Sequence, residues 1–258
     1  MTTEQWNGFL SFKEEFKKKC EIWNNTFKEV LIPLQKNASL KDTPTYPIEN
    51  PVLYNTALDD FSENHEIRLI VIGDNPGKDE QLNKNQKYLV GQSGKIAQGF
   101  FERNPQLKID FRKNTIILNK TPVHTAKTNH LKTILKENNL QINQLINESQ
   151  LWMAQQTAIL HQLLNADKKC QLWLVGYAEL KEKGLFGLYK KELFNSYAKG
   201  QNPNWTQVKV FQHFSMNRFS IDLKNFIAKK KETSQFNLEK AIDELGNFHK
   251  LEIFKDLD

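Results

Sequence analysis

Four short polar segments of the chain hold the residue types that could do chemistry. The first, Gly73-Asp74-Asn75-Pro76-Gly77-Lys78, sets a carboxylate beside a carboxamide. Asp74 can hold formal negative charge next to a developing cation, and Asn75 can orient water by hydrogen bonding. Pro76 biases Asn75 toward extended backbone, and Gly77 permits a sharp turn, so the loop can hold both side chains at the mouth of a sheet. The same composition also suits a plain solvated turn. The second segment runs from Tyr88 through Leu89, Val90, Gly91, Gln92, Ser93 and Gly94 to Lys95. Two glycines precede an expected helix with Ser93 as candidate N-cap. Free N–H groups there can take a phosphate beside Lys95, or the segment is simply a capped helix start. It is not a P-loop, since Leu89 and Ile96 stand where glycine and Ser or Thr are required, nor a nucleophile elbow, since Lys95 replaces the last glycine. The third, Leu118-Asn119-Lys120-Thr121-Pro122, offers in Asn119 both a donor and an acceptor, which suits either the edge of a base or a turn. The fourth, Gln212-His213-Phe214-Ser215-Met216-Asn217-Arg218, puts an imidazole close behind an apolar run, as a reactive or a merely packed histidine.

These segments can act together only if the elements around them converge. Ile67–Ile72, Thr115–Leu118, Gln171–Val175 and Val208–Phe211 are short apolar runs that suit buried parallel strands. Helical patterns lie between them at Ser93–Arg103, Gln150–Leu164 and Leu180–Tyr197, the last interrupted at Gly184 or Gly187. Residues 3–35 read as one or two amphipathic helices, 36–59 as an irregular proline-bearing connection, and 218–258 as two helices around the basic run Lys229–Lys231. Strands alternating with helices predict an α/β fold: three αβα layers around a mostly parallel four-stranded sheet, with added N- and C-terminal helices. One domain is expected, with its core at about 65–225 and helical extensions at 1–60 and 226–258. In such sheets, chemistry collects beyond the carboxyl ends of the strands, which is where the polar segments fall.

The composition narrows the function classes. Lys and Arg number 36 against 30 Asp and Glu, a net charge of +6, which favours an anionic partner such as nucleic acid. No apolar run approaches the ~20 residues that span a bilayer, and the N-terminal residues do not resemble a secretory signal. A cytoplasmic protein without membrane attachment is expected. Cys20 and Cys170 cannot build a four-cysteine metal or iron–sulfur site and read as buried thiols.

The order strand-GDNPGK, LVGQSGK, strand-LNK, strand-QHFS resembles the uracil-DNA glycosylase superfamily. Its signature is a GxxPG-type loop, a VGxxG helix start, an Asn after the next strand and an H-P-S loop after the last. The resemblance implies a monomeric enzyme that needs no metal or cofactor and excises uracil or another deaminated base flipped out of DNA. It implies Asp74, Asn75 and His213 as catalytic residues. It implies Gly73, Pro76, Gly77, Tyr88, Leu89 and Asn119 around the base. Gly91, Ser93, Gly94, Lys95, Ser215, Met216 and Arg218 would meet the nucleic acid. The chain departs from the pattern at Phe214, where proline is usual, and at Leu89, where an aromatic ring is expected, with Tyr88 one residue earlier. Two other readings follow from these departures and from the helix start: a catalytically inactive nucleic-acid-binding relative, and an enzyme acting on a small nucleotide.

Overall fold

The computed structural model describes residues 1–229 and 237–257. Four strands, β1 (Leu69–Gly73), β2 (Thr115–Asn119), β3 (Gln171–Val175) and β4 (Val208–Phe211), form one sheet in the order β2-β1-β3-β4. Every pairing is parallel. The strands are buried almost throughout, so β1 to β3 read as mainly apolar runs and not as alternating ones; in β4 the buried Lys209 interrupts the run.

Right-handed crossovers then decide where the helices go. The chain moves one way from β1 to β2 and the other way from β2 to β3 and β4. So α2 (Gln92–Glu102) covers one face, and α3 (Thr128–Lys136), α4 (Leu140–Leu164) and α5 (Gly187–Ser196) belong to the other. After β4 the chain returns to the α2 face as α6 (Arg218–Lys229) and α7 (Leu238–Phe254). Trp173 of β3 marks that face, with its ring centroid 5.7 Å from Phe101 of α2 and 5.7 Å from Phe219 of α6.

The terminal helices are integral to these layers. The first helix, α1 (Thr3–Ser39), is a single element that starts at a Thr2–Gln5 capping box and continues through Pro33 to Ser39, beyond the expected end at 35. Its Phe16 and Trp23 pack on Trp152 of α4 at 5.8 and 6.1 Å. At the other end, α7 packs on β4. Helix α4 begins ten residues before Gln150 because Asn139 caps it, its side chain accepting from the Ile142 N–H. The unforeseen helix α3 is short and mostly polar, burying His130, Leu131 and Ile134. Of the expected helix at Leu180–Tyr197, only the part from Gly187 is α-helical; Tyr177–Leu180 is a separate short turn. Lys229 ends α6, while the rest of the basic run, Lys230 and Lys231, lies outside the described residues. Cys20 and Cys170 are both buried and unpaired, and no described helix is long and apolar enough to cross a membrane.

Candidate active site

A cavity of about 490 Å³ opens at the carboxyl edge of the sheet, and the loop after each of the four strands contributes to it. Asp74 and Asn75 come from β1, Asn119 from β2, Gly176 from β3, and His213, Ser215, Met216 and Arg218 from β4. Gly73, Gly77, Leu89 and Ser93 also line it. The cavity therefore gathers residues from all four polar segments.

The floor depends on two glycines. In the β1–β2 register Gly73 faces Asn119, and the Asn119 carboxamide lies across it, with Oδ1 2.3 Å from where a Cβ at 73 would stand. Gly176, at φ +96°, makes equal room for the Asp74 carboxylate, whose Oδ1 lies 2.3 Å from the corresponding Cβ position. Asn119 is only 3% exposed, and its Nδ2 has no hydrogen-bond partner among the described residues. An unpaired buried amide on a cavity wall is costly unless a ligand satisfies it.

Asp74 is held from beneath. The Nζ of Lys120, a residue with no exposed surface, donates to Asp74 Oδ1 at 2.6 Å, to the Val175 carbonyl at 2.6 Å and to the Gly73 carbonyl at 3.3 Å. Burial pushes the Lys120 amine below its usual range, and the adjacent Asp74 pulls it back up. No described residue donates to Asp74 Oδ2. The Asn75 amide is occupied differently, since its Nδ2 donates to Thr125 Oγ1 at 2.8 Å. His124 and Thr125 complete the hold on this loop: the His124 ring Nδ1 lies 2.8 Å from the Pro76 carbonyl, which also accepts from the Thr125 N–H at 3.2 Å. Burial pushes the His124 imidazole down to about 4, so it is neutral near pH 7.

His213 has a defined tautomer. The Ser215 backbone N–H donates to its Nδ1 at 3.0 Å, and a backbone N–H can only donate. Nδ1 is therefore unprotonated, and in the neutral ring the proton sits on Nε2. Burial lowers the pKa of this imidazole, favouring the neutral form against the pull of Asp74.

Glu80 joins the first two segments. Its carboxylate accepts from the Gly77 N–H at 3.2 Å and from the Leu89 N–H at 3.0 Å, and it borders the cavity. Burial raises its pKa to about 7 despite those two donors. Leu89 is pinned in the left-handed region at φ +51°, and its carbonyl accepts from Arg112 at 2.6 Å.

The remaining sequence-predicted residues fall elsewhere. Tyr88 is fully buried and its hydroxyl donates to the Leu53 carbonyl at 2.6 Å, so its ring is structural and only Leu89 reaches the cavity. Pro76 is buried behind the loop it shapes. Ser93 is not the N-cap of α2; Gly91 takes that position without a side-chain cap. Gly94 packs against the Leu89 carbonyl. Lys95 is exposed and borders a second, basic cavity with Lys87, Arg112 and Lys113. Phe214 is fully buried, 5.2 Å from the Phe219 ring, and leaves the cavity open. Lys120, Glu80, His124 and Thr125 were not foreseen.

These features define the class to which the chain can be assigned: a three-layer α/β protein with a polar cavity at the carboxyl edge of an all-parallel sheet. Comparison with family models, with curated proteins and with solved structures finds no match to the chain.

Proposed function

We propose that the chain is a DNA glycosylase that hydrolyses the N-glycosidic bond of uracil or another deaminated base. The observation that carries this reading is that Asp74, with no described donor on Oδ2, and His213, with its proton on Nε2, line one cavity whose wall holds the amide of Asn119, without a partner among the described residues. Cleavage of that bond separates positive charge on the sugar from negative charge on the base. A site for it needs an anion and a water-positioning group on one side and a donor on the other.

Asp74 supplies the first. Its free oxygen accepts a hydrogen bond from water and stabilises the oxocarbenium-like sugar as the C1′–N bond lengthens. The bonding pair leaves with the base, the water oxygen bonds to C1′, and the water proton passes to Asp74 or to solvent. His213 donates from Nε2 to the base carbonyl on which charge accumulates. Asn119 pairs with the edge of the base, and Leu89 forms an apolar wall. Met216, 67% exposed at the tip of the β4 loop, sits where a wedge into stacked bases would be useful, and Arg218 stands at the rim for phosphate. Asn75 acts by holding its own loop, because its amide donors are committed to Thr125 and neighbouring carbonyls.

The experiment is base release from single- and double-stranded oligonucleotides that each carry one deaminated base. Release of one of them supports the reading. A second reading, a binding protein without turnover, draws on Leu89 and the sequestered Tyr88, which leave the described cavity without a stacking ring from that segment. It predicts salt-sensitive DNA binding and no release from any substrate.

A further inference from the structure

We propose that Lys120 is a positioning residue for Asp74: by tying Oδ1 to the floor of the sheet, it fixes which carboxylate oxygen faces the cavity. The proposal rests on the glycosylase reading for its consequence, but not for its geometry.

Lys120 is the residue after the last one of β2, and Gly73, at the end of β1, faces Asn119 in the parallel register. One step further along each strand brings Lys120 and Asp74 together. The ammonium has three acceptors, which is all it can use: Oδ1 of Asp74 and the carbonyls of Gly73 and Val175. Those carbonyls belong to the ends of β1 and β3, so the amine is anchored to two adjacent strands and cannot follow a rotating carboxylate. The Phe186 ring, 5.1 Å from Nζ, closes its remaining side. Lys120 is not among the residues that line the cavity, so it reaches substrate only through Asp74. The other titratable groups near the pair are His213, whose imidazole feels the Asp74 charge, and Glu179, whose charge reaches Lys120 and which pairs with Lys132. Burying a lysine strips its ammonium of hydration, so it is an unfavourable way to fill space, and Asp74 offsets that loss.

Lys120→Met removes the three donors and keeps the volume. With wild type active, this substitution is expected to slow single-turnover base release by on the order of 100-fold, as small misplacements of catalytic groups do, with the affinity for uncleaved oligonucleotide unchanged. Lys120→Gln, which retains donors on a shorter stem, is expected to be intermediate, and it serves if the methionine variant does not fold. In an Asp74→Asn background, Lys120→Met is expected to add no further loss, because both changes disable one unit. Equal losses in both backgrounds would show that Lys120 merely supports the fold, and would overturn the proposal. Crystal structures supply a readout that needs no activity: the carboxylate is expected to rotate in Lys120→Met, and an unmoved carboxylate would also overturn it. Wild type that releases no base defeats the glycosylase reading alone, and the crystal comparison still decides what Lys120 holds.

Discussion

The Asn119 carboxamide occupies the space that a side chain at Gly73 would need, with its Oδ1 2.3 Å from the missing Cβ. The two residues face each other at the ends of β1 and β2, and both are buried, so neither can yield by moving into solvent. Gly73→Ala should therefore displace the amide that we propose reads the base, while leaving the sheet intact. Base release should fall by on the order of 100-fold, with a melting temperature within a few degrees of wild type, as oligonucleotide assays and thermal denaturation would measure.

Asp74 and Asn75 are neighbours with different duties. Asp74→Asn preserves shape and removes the charge that we propose stabilises the sugar, so it should lower the release rate by about 100- to 1,000-fold. Asn75→Ala removes the bond to Thr125 Oγ1 and should act chiefly on stability, by about 1 kcal/mol in chemical denaturation, with a smaller effect on rate. The opposite ranking would move the water-positioning role to Asn75.

Glu80 accepts from the N–H groups of Gly77 and Leu89 and so joins the β1 loop to the segment before α2. Glu80→Ala leaves two donors without their acceptor. It should cost about 2 kcal/mol of stability, measurable as a lower denaturant midpoint, and it should loosen Leu89, which Glu80 through its N–H and Arg112 through its carbonyl hold at φ +51°.

Acid should destabilise the protein in a defined window. Burial lowers His124 and His161 from 6.5 to about 4, so below pH 6.5 the unfolded chain takes up two protons that the folded chain refuses. Glu80 opposes this, because its folded pKa is raised from 4.5 to about 7 and unfolding releases its proton between those values. These three groups leave a net uptake of one proton on unfolding between pH 6.5 and 4.5. On their own they should make stability fall by about 1.4 kcal/mol per pH unit on acidification, and the lowered imidazoles of His213 and His249 add in the same sense. Glu80→Gln removes the opposing proton, and the slope should steepen by about another 1.4 kcal/mol per unit. Urea titrations at pH 5 and 6 measure both slopes.

The strands were legible because parallel strands buried on both faces are mainly apolar runs; Gln171–Val175 and Val208–Phe211 have the bounds their pattern predicts, although Lys209 stands inside the second, buried and paired with Asp243. Helix α3 was not legible, because its nine residues contain only three buried ones and no capping side chain. Asp74, Asn119 and His213 stood out as polar residues immediately beyond strands. Lys120 did not, because a lysine after a strand looks solvated until the β1–β2 register places it beside Asp74. Glu80 sits in a polar run without periodicity, and its burial comes from the loop that folds over it. Tyr88 and Leu89 show the limit of local reading: Tyr88 is fully buried with its hydroxyl on the Leu53 carbonyl while its neighbour reaches the cavity at a positive φ, and neither is visible in residue type.

Single-turnover release of free uracil from a uracil-containing oligonucleotide, by wild type beside Asp74→Asn and His213→Ala, tests the central claim most directly. The account predicts stoichiometric release by wild type, with both variants slowed at least 100-fold while still binding the oligonucleotide. Release that persists unchanged in both variants, or a wild type that binds DNA and frees neither uracil nor any other deaminated base, would contradict it.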